Sequence, residues 1–201
     1  MALVVSTLQA DLQASFLAMN DITDGSGDRY MADNVAKNIK DYILTGKTST
    51  TDAGAAPAGT YSGSGSGTMT IDDSSLADDL YSTFTAGYDN NGLASHMAAD
   101  IDKACSANDT VSETSKGTVT TPSGASSIFS GPAQGKFSGS KATIESKLKA
   151  CFSSMDEMTS GGNEYFAQEM ASAIDSYLKA GSISVTLKSP FLSGTGGGTI
   201  A

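Results

Sequence analysis

The chain has 201 residues, with 22 acidic and 12 basic side chains and a formal net charge of −10. So few, scattered cations cannot build the basic surface that nucleic-acid phosphates or an anionic membrane demand. No stretch approaches the roughly 18 apolar residues of a membrane span. The start at Met1–Ser6 lacks a basic region and a long apolar run, so no signal peptide is expected.

The first predicted element is a helix carrying Leu8, Leu12 and Phe16 on one stripe. Thr7 is its expected N-cap, and Ser6 with Gln9 fits a capping box. A polar turn, Asp24–Gly27, leads to a second helix over Met31–Tyr42 with Met31, Val35, Ile39 and Tyr42 on one face. Gly46 is its expected left-handed terminator. Thr48–Thr51 is a weak strand candidate. The run Gly63-Ser64-Gly65-Ser66-Gly67 lacks the Lys of a phosphate-binding loop and has the composition of a flexible linker. Gly67-Thr68-Met69 reads as a short second strand.

The same order returns about 68 residues later. Leu76, Leu80 and Phe84 repeat the first stripe behind Ser75, and Leu93, Met97, Ile101 and Ala104 repeat the second. Asp89-Asn90-Asn91-Gly92 is the turn between them, and Asn108 the terminator. Thr118–Thr121 and Gly135-Lys136-Phe137 are the extended pieces. A third copy follows. Ile144, Leu148 and Phe152 lie behind Thr143, and Phe166, Met170, Ile174 and Tyr177 end at Gly181. Ile183–Leu187 is the clearest strand, with alternating apolar residues, and Gly198-Thr199-Ile200 closes the chain.

The expected fold is therefore α+β, mainly α: three tandem helical hairpins, each followed by a Gly/Ser-rich β-ribbon or extended segment, in pseudo-threefold arrangement. One domain, 1–201, comprises repeats 1–70, 71–139 and 140–201. Isolated ribbons are marginal in water, so the extended segments are expected to add to strands of neighbouring chains, the alternative being that they only wrap their own hairpins within the chain. Val119, Ile128, Phe137, Val185, Leu187, Phe191 and Ile200 would anchor them. Deleting Ser193–Ala201 should then leave a folded, helical protein that fails to assemble.

A search for chemistry finds no catalytic, cofactor or metal residues to assign. The single His, His96, sits beside the apolar stripe of its helix, where an exposed residue is expected, and no nucleophile partner accompanies it. Asp89–Gly92 lacks the spacing and the closing Glu of a calcium loop. The acidic pairs Asp72-Asp73 and Asp78-Asp79 suit a helix N-terminus. Cys105 and Cys151 are read as reduced, packing thiols without a bridge. Asn108-Asp109-Thr110 fits a glycosylation sequon that has no secretion signal to give it meaning.

The opening Met1-Ala2-Leu3-Val4-Val5-Ser6-Thr7-Leu8, the second helices containing Met-Ala, and the ending Ser189–Ala201 resemble small virion structural proteins of tailed bacteriophages. The resemblance runs over the whole chain and is compositional. It implies a non-enzymatic structural component of the particle, in capsid, neck, tail or baseplate, assembled in the host cytoplasm. Its implied partners are itself, as a homo-oligomer or symmetric ring, and other virion proteins, with no nucleic acid, membrane or cofactor. A soluble assembly chaperone or adaptor absent from the mature particle is the alternative. A small hydrolase or transferase with an unfamiliar site is a third reading, disfavoured by the lack of a usable His.

Overall fold

The computed structural model describes residues 3–57, 59–189 and 192–201. Among them run six helices and six strands. In chain order these are α1 (Val5–Met19), α2 (Gly27–Thr45), β1 (Thr48–Ala56), β2 (Gly59–Met69), α3 (Asp73–Thr85), α4 (Asn90–Cys105), β3 (Val111–Thr120), β4 (Ser126–Ser138), α5 (Lys141–Met155), α6 (Gly162–Ala180), β5 (Ser182–Leu187) and β6 (Ser193–Ile200).

Each helix packs on the next, and α6 packs on α1, so the helices close into a ring. The apolar stripes point inward. Leu8, Leu12, Leu76, Leu80, Met97, Ile101, Ile144, Leu148, Met170 and Ile174 are all buried. α2, α4 and α6 each bury more residues than α1, α3 or α5. Two hydroxyls tie these three together: Tyr42 donates to Asp175 (2.5 Å) and Tyr177 to Asp102 (2.7 Å). On the outside, Lys40–Asp73 and Arg29–Asp78 join α2 to α3, and Lys103–Asp79 joins α3 to α4. So the acidic pairs of α3 meet cations of its neighbours as well as its own helix dipole. Among the described residues no helix is long and apolar enough to cross a membrane.

The strands close separately. Every neighbouring pair from β1 to β6 is antiparallel, and β6 pairs back onto β1, with Thr48 opposite Ile200. Met69, Val111, Phe137, Ile183 and Ile200 are buried among the inward residues of the barrel. Phe137 meets Tyr177 of α6 edge-on at 5.2 Å, which joins the barrel to the ring.

This arrangement overturns the expected mainly helical fold of three hairpins with pseudo-threefold ribbons. Helix makes up 49% and strand 30%, and the strands form one closed barrel. β2 pairs with β3 along ten residues, as fully as β1 and β2 pair within their hairpin. The physical reason is edge satisfaction. A two-stranded ribbon leaves two rows of backbone groups unpaired, and closure pairs them within the chain. The extended segments are therefore core strands, and the proposed tail arm, Ser193–Ile200, is β6, bonded to both β1 and β5. Of the expected intermolecular anchors, Phe137, Val185, Leu187 and Ile200 are buried inside, Val119 is partly buried, and Phe191 lies outside the described residues.

Local details change as well. The N-caps of α1, α3 and α5 are Val4, Asp72 and Ser140. Thr7, Ser75 and Thr143 each sit three residues further on, inside the first turn. Of these three only Asp72 caps by side chain, accepting from the Ser74 and Ser75 amides. Gly46 and Gly181 are extended, not left-handed (φ −75° and −77°). They are small because a Cβ at Gly46 would lie 2.9 Å from Leu3 and one at Gly181 would strike the Phe137 ring. α4 ends at Cys105 with Ser106 as its C-cap, before Asn108.

Candidate functional site

β1 points Thr50 and Asp52 into the barrel, and β3 points in Glu113 and Ser115, because alternate residues of a strand share a face. Between these strands runs β2, whose inward positions are Tyr61, Gly63, Gly65, Gly67 and Met69. The glycines leave room for the longer polar side chains to cross. A Cβ on Gly65 would collide with Glu113 Oε2 and Thr50 Oγ1 and lie 3.1 Å from Asp52 Oδ2. Gly196 of β6 makes the same allowance beside Asp52 Oδ1. The glycine-serine run is thus a strand shaped around buried acids, and the flexible-linker reading does not hold.

The polar groups form one network. Thr50 Oγ1 lies 2.8 Å from Asp52 Oδ1 and 2.7 Å from Glu113 Oε2. Ser115 Oγ donates to Asp52 Oδ2 and lies 2.7 Å from the Tyr61 hydroxyl. Asp52 is 1% exposed and Glu113 4%. Among the described residues neither acid has a Lys, Arg or His ion-pair partner. The three hydroxyls carry three protons for four contacts, since each hydroxyl donates once. Two further buried oxygens have no partner at all: Glu113 Oε1 and Thr48 Oγ1.

Sealed from solvent, this network cannot meet a dissolved substrate. It can hold a small cation, or it can specify which strands pair. Among the described residues no three His, Cys, Asp or Glu side chains gather as a metal cluster, so any cation here would rely on hydroxyls as well as the two carboxylates.

Residues singled out from the sequence lie apart from the network. His96 is exposed, its ring stacked on Tyr88 at 4.0 Å. Asp89 caps α4 by accepting from the Gly92 amide at 2.7 Å. Cys105 and Cys151 are buried free thiols on α4 and α5. Burial, with the Asp102 carboxylate nearby, pushes Cys105 up to about 12. Thr110 of the sequon is buried, bonded to the Cys105 and Ala107 carbonyls. Three aromatic residues of the stripes pack on each other away from the barrel, with Phe166 stacked on Phe16 at 5.0 Å and 5.4 Å from Phe152. Beside them a shallow apolar dimple of about 210 Å³ is lined by Met31, Phe84, Leu93 and Met97. A wider cleft of about 530 Å³ lies between the start of α3 and the end of α4, over Ile71, Leu76 and Ala104.

Sequence reasoning missed the acid network. Its one signal is the pair of alternating polar triplets, Thr50-Thr51-Asp52 and Glu113-Thr114-Ser115, facing one another across β2. The fold and this network together define an α+β protein, a helical ring joined to a small polar-cored antiparallel barrel. In comparisons with known proteins the chain matches no family model, no curated protein and no solved structure.

Proposed function

We propose that the chain is a non-enzymatic structural component of a tailed bacteriophage particle, binding copies of itself and neighbouring virion proteins. One observation carries the binding half of this reading. The β3–β4 hairpin is the longest of the barrel, and β4 pairs with β5 only from Ala133 onward. Among the described residues Ser126–Gly131 have a strand partner on one side alone, and Ile128 there is 91% exposed. An open strand edge beside an exposed apolar side chain is a site for another chain to add a strand. Elsewhere the described strands pair on both sides over most of their length, and the one-sided stretch is longest here, so binding would concentrate at this tip. The phage assignment itself rests on the compositional resemblance of the chain's two ends and second helices.

Mass spectrometry of purified particles is the test. Stoichiometric copies in the finished particle support the proposal. Presence in the infected lysate but not in the particle replaces it with an assembly chaperone. Ile128→Glu should weaken incorporation while leaving the circular dichroism spectrum unchanged.

A further inference from the structure

We propose that the barrel interior is a binding site for one hard divalent cation of the calcium class, held by Asp52 and Glu113 together with the hydroxyls of Thr48, Thr50 and Ser115. Three independent features of the network converge on this. The first is charge. Two carboxyl groups sit within one hydroxyl of each other, bridged by Thr50, with no basic side chain paired to either among the described residues. Burying uncompensated carboxylates is costly, and a cation removes the cost.

The second is the deficit of protons. Tyr61 can donate to Ser115, Ser115 to Asp52, and Thr50 to one of its two carboxylate neighbours, which leaves the other contact with two facing lone pairs. A cation drawing on all of those oxygens turns that repulsion into shared coordination.

The third is the pair of oxygens without partners. Thr48 is 0% exposed and Glu113 4%, and each is the register partner of Gly67, from opposite sides. Both strands thus bring a buried side chain beside Gly67, and neither Thr48 Oγ1 nor Glu113 Oε1 has a hydrogen-bond partner. Native proteins rarely leave such groups unmet. The donors are the two oxygens of each carboxylate and three hydroxyls, all hard oxygen ligands with no nitrogen or sulfur among them. That set suits calcium, which takes about six to eight oxygens in flexible geometry, better than zinc or copper. Magnesium, which keeps several waters, fits a side-chain-filled interior less well.

A buried site loads as the chain folds, so the test is refolding. The full chain is unfolded in guanidinium with a chelator, then refolded with millimolar calcium chloride or with chelator alone. Calcium should raise the thermal midpoint by several degrees, as a ligand bound only by the folded state does. About one ion per chain should remain after gel filtration. Terbium should substitute for it and luminesce by energy transfer from Tyr61, since the chain has no Trp. Glu113→Gln and Thr48→Val should each abolish the midpoint rise and the luminescence. If Glu113→Gln does not fold, Thr48→Val decides alone. Equal midpoints with calcium and chelator, or a calcium effect that survives both substitutions, overturn the site. The network is then closed by protons and water.

Discussion

Gly65 shows how one missing side chain shapes the barrel. Its Cβ position is already filled by the Glu113 and Thr50 oxygens, which belong to a network with little freedom to move. Gly65→Ala should cost about 1–3 kcal/mol, the range for overpacking a tight interior. Gly197 on β6 is the control: it is exposed, its added Cβ would meet nothing closer than 3.9 Å, and its φ is not positive. Gly197→Ala should be neutral or stabilise by about 0.4–1 kcal/mol by restricting the unfolded chain. Urea denaturation of the pair checks both signs. A second residue-scale prediction concerns Cys105. Its thiol moves from the ordinary value of 9.0 to about 12 in the fold. Between those values the unfolded chain releases the proton and the folded chain retains it. Stability must therefore fall as pH rises from about 9 toward 12. Burial pushes the Tyr42 and Tyr177 hydroxyls upward too, adding to the same alkaline loss. Denaturation at stepped pH should give a shallower decline for Cys105→Ala than for the parent. Equal slopes would show that Cys105 does not contribute.

At the scale of elements, α3 separates a real cap from an apparent one. Asp72 accepts from two amides of the first turn and from the Ser75 hydroxyl at 2.7 Å. Asp72→Ala should lower stability by about 0.5–2 kcal/mol, and Thr143→Ala, inside the first turn of α5, by much less. Thermal melts of the two variants settle it, and equal effects would return the capping role to the hydroxyl position. The comparison also explains what the sequence made legible. Helices could be read because their apolar residues recur every three or four positions and face a common interior. Their starts were misplaced by three residues because Ser and Thr are common throughout the first turn, and Val4 gives no capping signal. Only β5 could be read plainly as a strand, since Ile183, Val185 and Leu187 alternate inward. β1 and β3 place Thr50, Asp52, Glu113 and Ser115 inside. β2 and β6 place glycines there. Inward polar and glycine residues invert the usual alternation, so these strands looked like loops, and the barrel and its acid network stayed hidden together.

For the molecule as a whole, closure is the property on which stability turns. β6 is the strand that completes it, bonded to β1 from Ser193 to Ile200 and to β5 from Thr195 to Gly198. Ala201 adds two backbone hydrogen bonds to Lys47, at 2.8 and 3.0 Å. Removing 193–201 would strip a full edge from β1 and leave β5 bonded on one side. It would also take Ile200 from beneath Gly46 and uncover Asp52, whose Oδ1 lies against Gly196. An open, strongly twisted sheet with one bare edge and a wetted acid network has lost both backbone pairing and core. The truncated chain should therefore show no cooperative thermal transition and elute as aggregate. Ile128→Glu, which changes only the exposed hairpin tip, should melt like the parent and elute as the parent does. Circular dichroism melts and gel filtration of the two variants compare the barrel's closing strand with its outer edge. A truncated protein that melts cooperatively at the parental temperature would show that the helical ring is stable without a closed barrel.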